Sequence, residues 1–136
     1  RIQTADGENT ICGGSGTMQV ITGKGRDVIT TGSGSAHILS QDGRTDIVLD
    51  QGQSLVEIKG GEITLTVRRS GQLQQIKGFT AGQIDLSDWA VLGPVDLHTD
   101  ANGDTVLTAG TERLRFVGTP VDVVKAAIIS SGELRA

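Results

Sequence analysis

The sequence predicts an all-β fold, a right-handed parallel β-roll (β-solenoid) that is closed by a β-rich cap at its C-terminal end. Glycine recurs at every ninth position through the first half of the chain, and an aliphatic residue follows each of these glycines by four positions. Aromatic residues make up only 2% of the chain, which favours a core of stacked aliphatic side chains. The glycines are Gly7, Gly16, Gly25, Gly34, Gly43, Gly52 and Gly61, and the aliphatic residues are Ile11, Val20, Ile29, Ile38, Ile47, Val56 and Leu65.

The length of the repeat indicates what each unit contains. Nine residues suit one short strand and one tight turn, and they are too few for a helical repeat unit. Glycine supplies the positive φ that the turn requires, and the aliphatic residue of each strand points inward while its neighbours point outward. Two repeats close one coil, so residues eighteen positions apart are stacked. We expect successive coils to stack at about 4.8 Å and to bury a continuous aliphatic ladder.

The regular period ends after Gly61 and divides the chain into two predicted regions, a β-roll over residues 1–70 and a capping region over residues 71–136. Aliphatic residues alternate with threonines over 63–67, which predicts a strand at the end of the roll. The last coil of a solenoid exposes an apolar end and an open edge, and both invite aggregation. The residues predicted to plug this end are Phe79, Leu86, Trp89 and Phe116.

Further elements are predicted within the capping region. Residues 100–107 are predicted to form a turn and a strand, and residues 114–118 the next strand. The segment 119–122, Thr-Pro-Val-Asp, predicts a helix start with threonine as the cap and proline at the first helical position. Residues 123–129 then form either the body of this helix or a short final strand.

Several segments resemble the RTX nonapeptide repeat G-G-x-G-x-D-x-U-x, whose loops bind calcium. The segments are 13–20, 23–29 and 31–38, and among them only 23–29 carries the aspartate, Asp27. Residues 76–87 are similar to the segment that follows RTX repeats in type I secreted bacterial proteins. The resemblance implies a secreted, extracellular or cell-surface protein of a bacterium. It also implies export by the type I secretion apparatus, with an uncleaved signal near the C-terminus, and folding outside the cell.

The same resemblance implies where calcium would bind. In RTX rolls the aspartate of one loop acts with its equivalent one coil later. Calcium requires oxygen ligands that include carboxylates, which Met and Ala cannot supply. The resemblance therefore implies at most one weak Ca²⁺ site, at Asn9 and Asp27 together with backbone carbonyls of the glycine loops. The alternative is that both side chains only bond to turn backbone. The aspartate position is occupied along one edge by Asn9, Asp27 and Thr45, and along the other by Met18, Ala36 and Ser54.

Composition excludes several other classes of protein and site. The net charge of −4 and the scattered basic residues argue against a nucleic-acid partner. No apolar run is long enough for a transmembrane segment. The single Cys12 excludes an internal disulfide. His37, expected to face outward from a strand, and His98, expected in a loop, lack a partner at metal-ligand spacing. Asp46 and Asp50 lie outside the ligand positions and are expected to be solvated loop charges.

We expect no catalytic activity. The chain has no Ser-His-Asp or Cys-His arrangement with its usual context, and no phosphate-binding loop. A pair of carboxylates could hydrolyse a glycan, but such a pair must face one site. The candidate acids occupy different positions of the repeat or different edges, and they are Asp27, Asp46, Glu57 and Glu62.

Three functions remain open at the level of sequence. The first is a non-catalytic secreted module that serves type I export and extracellular folding. The second is a structural or adhesive subunit of a surface layer, fibre or matrix. It would self-associate through Ile21 and Leu39, which lie eighteen residues apart in the outward phase and stack as an apolar stripe. Packing against an upstream domain of the same chain explains that stripe equally well. The third is an accessory module of a polysaccharide-active enzyme, which rests on family analogy alone.

Overall fold

The predicted fold class is confirmed, because the chain forms a β-solenoid of about four turns. The structure is a computed structural model that describes residues 2–3, 7–68, 73–80, 82–130 and 134–135. Within these residues the strands form two sheets, a nine-stranded sheet A and a six-stranded sheet B. The two sheets are the opposite walls of the roll, and the turns at its two edges connect them.

The elements have the following bounds. Over the described residues, sheet A contains β1 (Ile2–Gln3), β3 (Met18–Ile21), β5 (Ala36–Ser40), β7 (Ser54–Ile58), β9 (Leu73–Lys77), β11 (Val95–Thr99), β12 (Thr105–Ala109), β13 (Glu112–Val117) and β15 (Leu134–Arg135). Sheet B contains β2 (Glu8–Cys12), β4 (Arg26–Thr30), β6 (Arg44–Leu49), β8 (Glu62–Val67), β10 (Gly82–Asp85) and β14 (Ile128–Ser130). A 3-10 helix spans Ser87–Leu92, and helix α1 spans Val121–Ala127.

The register between neighbouring strands reproduces the predicted coil of eighteen residues. In sheet B, Asn9 pairs with Asp27, and Asp27 pairs in turn with Thr45. In sheet A, Val20 pairs with Ile38. All of these pairings are parallel, so each coil contributes one strand to each sheet.

The aliphatic residues that were predicted to point inward form the core of the roll. Ile29 and Ile38 have no exposed surface, and the other members of the ladder are at most 6% exposed. Their neighbours Val28 and Thr30 face outward and are only partly buried. Burial of one such aliphatic side chain contributes about 1.5–3 kcal/mol. The stacked ladder is therefore the main source of stability in this part of the chain.

Close stacking explains the fixed glycine at one edge of the roll. Gly25 and Gly43 have φ angles of 102° and 103°. A β-carbon on Gly25 would lie 2.3 Å from the carbonyl oxygen of Gly7, and one on Gly43 would lie 2.4 Å from that of Gly25. The same carbonyls accept hydrogen bonds of 3.0 Å from the backbone N–H of Arg26 and 2.8 Å from that of Arg44. A side chain at this turn would push neighbouring coils apart and break these bonds.

Parallel pairing continues past residue 70, where the two regions were predicted to meet. Strand β9 pairs with β7 and β10 pairs with β8, both in parallel. The division into residues 1–70 and 71–136 therefore stays a prediction. Sheet A then changes direction, because β13 is parallel to β9 but antiparallel to β12, and β12 is antiparallel to β11. This antiparallel meander extends the wall at the C-terminal end of the roll.

The residues predicted to plug the roll are buried. Phe79, Leu86, Trp89 and Phe116 are each at most 2% exposed. The rings of Phe79 and Phe116 pack edge to face, with centroids 5.3 Å apart and planes inclined by 74°. Such an arrangement is favourable for aromatic pairs. The large side chains of the capping region thus form the apolar interior at this end.

Helix α1 lies where a helix start was predicted, but it is capped differently. Pro120 occupies the N-cap position in an extended conformation, not the first helical position, and no side chain bonds to the helix start. The hydroxyl of Thr119 instead donates a hydrogen bond of 3.1 Å to the carbonyl of Phe79. Strand β14 follows the helix directly, so the segment predicted as either helix or strand contains both.

Candidate functional site

Asn9 and Asp27, the two residues expected to bind calcium, are partners on β2 and β4. The side-chain amide of Asn9 donates a hydrogen bond of 2.9 Å to Oδ1 of Asp27. Asp27 has no exposed surface, and its second carboxylate oxygen, Oδ2, has no hydrogen-bond partner. The expectation placed this aspartate in a loop between coils. The structure instead places it within β4, on the same inward face as Ile29.

Hydroxyl side chains occupy the neighbouring inward positions at this edge. Thr45 is the partner of Asp27 on β6, and its hydroxyl lies 2.9 Å from that of Ser40. Thr22 and Asp27 hold in their coil the positions that Ser40 and Thr45 hold in the next. The hydroxyl of Thr22 accepts a hydrogen bond of 3.4 Å from the backbone N–H of Gln41. These three hydroxyl residues are at most 1% exposed. Together these residues form a polar edge cluster of Asn9, Thr22, Asp27, Ser40 and Thr45.

The polar edge cluster is confined to the first coils. One coil further along the roll, Ile63 pairs with Thr45 and Ile58 pairs with Ser40. Two columns of inward residues run along this edge, one through Ser40 and one through Thr45. Both columns therefore change from polar to apolar in the same coil. Polar side chains inside a roll cost free energy unless they are bonded. This group of inward polar residues is therefore a candidate binding site.

The opposite edge of the roll has a different interior. Met18, Ala36 and Ser54 form its column of strand partners. The backbone N–H of Ser54 donates a hydrogen bond of 2.7 Å to the side-chain oxygen of Gln74, whose amide nitrogen donates one of 2.6 Å to the carbonyl of Gly52. This column contains no carboxylate. Buried oxygen side chains thus occur at both edges, but the buried carboxylate of Asp27 lies at the first edge.

Sequence reasoning identified Asn9, Asp27 and Thr45 in one column, but it missed Thr22 and Ser40. Both missed residues follow a glycine of the repeat by six positions, and they lie eighteen residues apart. A search for polar residues at this second inward position would have found them.

Two expectations about charged and polar residues outside the site were wrong. Asp46 is not a loop residue, since it lies on β6 and faces outward. Its carboxylate is 3.6 Å from the guanidinium of Arg26 and 3.8 Å from that of Arg44. His98 likewise lies on β11 and not in a loop. Asp27 and Asp46 are therefore on opposite faces of sheet B and cannot serve one site.

A second group of acids, in the turn between β11 and β12, is already bonded. Oδ1 of Asp100 accepts hydrogen bonds of 2.9 and 3.0 Å from the backbone N–H groups of Asn102 and Asp104. Oδ2 of Asp100 accepts a hydrogen bond from the guanidinium of Arg115, which lies 3.5 Å from Asp104 as well. The bond from Arg115 lowers the pKa of Asp100 and raises the pKa of Arg115. These acids hold the hairpin together.

The outward stripe predicted at Ile21 and Leu39 is present, because the two residues are strand partners on the outer face of sheet A. Both side chains are half-buried. Beside them, Nε2 of His37 lies 2.9 Å from Oε2 of Glu57, and this hydrogen bond lowers the pKa of Glu57. Together with Gln19 they line a groove of about 290 Å³. The stripe ends at Glu57, which is the strand partner of Leu39.

Comparison with known proteins identifies no relative: no family model matches the chain, and no curated protein sequence matches it. In the part of the chain that the structure describes, no three His, Cys, Asp or Glu side chains are grouped as metal ligands. No helix among the described residues is long and apolar enough to cross a membrane. The candidate site is therefore defined by its own chemistry. The polar edge cluster combines one carboxylate, one amide and three hydroxyl groups inside the wall of the roll.

Proposed function

We propose that the chain is a non-catalytic secreted module, exported by a type I secretion apparatus, which folds outside the bacterial cell with the help of one weak calcium site. The observation that supports calcium-assisted folding is the fully buried carboxylate of Asp27, one oxygen of which has no hydrogen-bond partner. The export part of the proposal rests on the resemblance of residues 13–38 and 76–87 to RTX repeats and the segment that follows them.

The buried charge of Asp27 costs free energy. An ionised carboxylate that leaves water loses several kcal/mol of hydration free energy unless other groups replace the water. The side-chain amide of Asn9 replaces the lost water at only one carboxylate oxygen of Asp27, Oδ1. The oxygens of the polar edge cluster fit calcium, which takes oxygen ligands only and accepts carboxylate, amide carbonyl and hydroxyl or water oxygens. The bound ion would supply the positive charge that Asp27 lacks.

The same arrangement explains why the affinity for calcium should be low and how calcium binding could serve export. One carboxylate gives little affinity, since calcium affinity rises with the number of charged ligands. In the calcium-poor cytosol the uncompensated charge of Asp27 disfavours the folded roll, which suits a chain that must be exported unfolded. Outside the cell, calcium binds the folded state and stabilises it by mass action.

Thermal unfolding followed by circular dichroism tests the calcium site. We expect the melting temperature of the wild-type chain to be moderately higher in millimolar calcium than in chelator. Asp27→Ala should abolish this difference. Asp46→Ala, which removes the outward carboxylate on the neighbouring strand, should preserve it. A wild-type chain that melts identically in calcium and in chelator would overturn the calcium site, and a chain wholly unfolded in chelator would contradict a single weak site.

Secretion of a passenger tests the export part separately. A passenger protein without its own signal, fused ahead of the chain, should reach the medium of bacteria that express a type I transporter. The same fusion without residues 119–136 should remain inside the cell, because the signal is expected near the C-terminus. Retention of both fusions, or export of both, would contradict the proposed route.

The second candidate function is a structural or adhesive subunit that self-associates. The observation that favours it is the outward groove, in which Ile21 and Leu39 form an apolar floor beside the hydrogen-bonded pair of His37 and Glu57. Apolar side chains stacked on an outer face are typical of contact surfaces.

A further inference from the structure

We infer that the hydroxyl of Thr22 is the second side-chain ligand of the calcium site, beside Oδ2 of Asp27. This inference rests on the proposed function, because it assumes that Asp27 binds calcium, and it adds a ligand that the repeat motif does not contain. In the pattern G-G-x-G-x-D, the residue five positions before the aspartate is the first glycine, which has no side chain. Thr22 stands at that position, five residues before Asp27. Its hydroxyl is therefore a feature of this chain and not of the repeat.

The turn between Thr22 and Asp27 has the same shape as the equivalent turn one coil later. Gly25 has a φ of 102° in the first turn, and Gly43 has a φ of 103° in the second. In both turns, the N–H of the residue after this glycine bonds to the carbonyl of the equivalent glycine one coil earlier, at 3.0 and 2.8 Å. The side chains that flank the two turns are therefore placed in the same way.

The residues that flank the second turn show what this placement means. The backbone N–H of Thr22 donates a hydrogen bond of 3.0 Å to the carbonyl of Leu39, so Thr22 lies beside Ser40. Asp27 is the strand partner of Thr45. The hydroxyl oxygens of Ser40 and Thr45 are 2.9 Å apart. We therefore expect the hydroxyl of Thr22 to face the carboxylate of Asp27 inside the roll.

Thr22 and Asp27 do not satisfy each other as the two hydroxyls of the next coil do. Oδ2 of Asp27 has no hydrogen-bond partner, because the amide of Asn9 bonds to Oδ1. The hydroxyl of Thr22 accepts a long hydrogen bond of 3.4 Å from the backbone N–H of Gln41. Neither Thr22 nor Asp27 has exposed surface, so bulk water does not reach them. A carboxylate oxygen and a hydroxyl oxygen are thus available to one cation, and calcium takes oxygen ligands.

The opposite edge of the roll provides a matched position without a carboxylate. Thr31 follows Thr22 by nine residues and is equally buried, at 1% exposure. Its hydroxyl accepts a hydrogen bond of 2.8 Å from the backbone N–H of Asp50. The residue five positions after Thr31 is Ala36, which has no side-chain oxygen. The Thr31 hydroxyl therefore bonds to the backbone and faces no candidate ligand.

Calcium titration followed by the melting temperature tests the ligand. Thr22→Val keeps the shape of the side chain and removes the hydroxyl, and we expect it to raise the apparent dissociation constant for calcium by about tenfold or more. Thr31→Val should leave this constant unchanged, although it should lower the melting temperature in chelator and in calcium alike, because a buried hydrogen bond is lost. Thr22→Ser keeps the oxygen and should restore most of the affinity. Thr22→Ala takes the place of Thr22→Val if valine prevents folding.

The failure of this inference differs from the failure of the calcium site. If the wild type responds to calcium, Asp27→Ala does not, and Thr22→Val binds calcium as tightly as the wild type, the inference is overturned while the site at Asp27 stands. If the wild type melts identically in calcium and in chelator, both are overturned. Equal losses of affinity in Thr22→Val and Thr31→Val also overturn the inference, because any buried hydroxyl would then have the same effect.

Terbium, which takes oxygen ligands in place of calcium, gives a readout that does not depend on stability. The decay of its luminescence in H₂O and in D₂O counts the water molecules on the bound ion. Thr22→Val should carry one more water than the wild type, since a water replaces the lost hydroxyl, whereas Thr31→Val should carry the same number. An unchanged water count in Thr22→Val would mean that the hydroxyl does not contact the ion.

Discussion

The side-chain amide of Asn9 lies 2.9 Å from the carboxylate of Asp27 and bonds to it across one full coil of eighteen residues. The bond connects equivalent positions of consecutive coils and therefore runs along the axis of the roll. Two coils further along the same column, isoleucine occupies this position, at Ile63. At this edge, one repeating backbone thus carries polar inward residues in the first coils and apolar ones in a later coil.

The effect of the Asp27 charge on stability can be measured separately from the effect of its side-chain volume. Asp27→Asn keeps the side-chain volume and an acceptor for Asn9, but it removes the buried charge. We expect the variant to be more stable than the wild type in chelator, by about 1–3 kcal/mol, and to show no calcium response. Urea unfolding with and without calcium measures both effects. Asp46→Asn is the control and should change stability by less than about 1 kcal/mol. A variant less stable than the wild type in chelator would contradict the argument from buried charge.

A charge in the aliphatic ladder should unfold the roll. Ile29→Asp or Ile38→Asp places an unpaired carboxylate in a position without solvent exposure, which costs several kcal/mol. We expect either variant to lose the β signal in circular dichroism. Thr30→Asp places the same charge one residue from Ile29 on the outward face, and it should leave the spectrum unchanged. An unchanged melting temperature for Ile29→Asp would mean that the inward column has been assigned wrongly.

The outward stripe should mediate contact if the structural-subunit function holds. Ile21→Lys combined with Leu39→Lys should leave the fold intact and reduce self-association, because two charges replace the apolar floor of the groove. Light scattering over a range of concentrations measures the mass. Thr10→Lys with Thr64→Lys adds equal charge to the outer face of sheet B and serves as the control. Identical masses for the wild type and the Ile21/Leu39 variant would remove the main support for this function.

The pair of Asp100 and Arg115 should make the capping hairpin sensitive to acid. The hydrogen bond from Arg115 holds the pKa of Asp100 below its ordinary value. The resulting stabilisation is therefore fully present above about pH 4 and is lost as the pH falls through the lower folded-state pKa. We expect the wild type to melt higher than Asp100→Asn at pH 6, and this difference to disappear toward about pH 2. Asp96→Asn, an exposed substitution on β11, should show no such trend.

A constant difference between the wild type and Asp100→Asn over this whole pH range would contradict the assignment. It would mean that the substitution acts through the backbone hydrogen bonds of the turn and not through the charge of the carboxylate.

The parts of the fold that follow from local pattern could be predicted from the sequence. The inward ladder, the coil of eighteen residues and the plug at the end all follow from the spacing of glycines and apolar residues. The position of Asp27 was harder, because the repeat motif places the aspartate in a loop. Alternation backwards from Ile29 would have placed Asp27 on the inward face, once β4 was known to begin at Arg26.

Contacts between distant residues could not be predicted. Thr119 has the residue type of a helix cap, but its hydroxyl bonds to the carbonyl of Phe79, forty residues earlier in the chain. No local pattern contains that partner. Similarly, the hydrogen bond between Ser40 and Thr45 depends on the angle at which the chain turns between two strands.

The antiparallel meander at the end of sheet A is built from strands that pair with their immediate neighbours in sequence. Strands β11, β12 and β13 pair with their neighbours in sequence, with only residues 110–111 between β12 and β13. Such hairpins form within about 1–10 µs, whereas every parallel pairing in the roll must first close a longer loop. We therefore expect the hairpins to form first and to offer an edge at β13, onto which β9 and then the earlier coils can be added. A chain that ends before β13 would then lack the edge on which the earlier coils are expected to assemble.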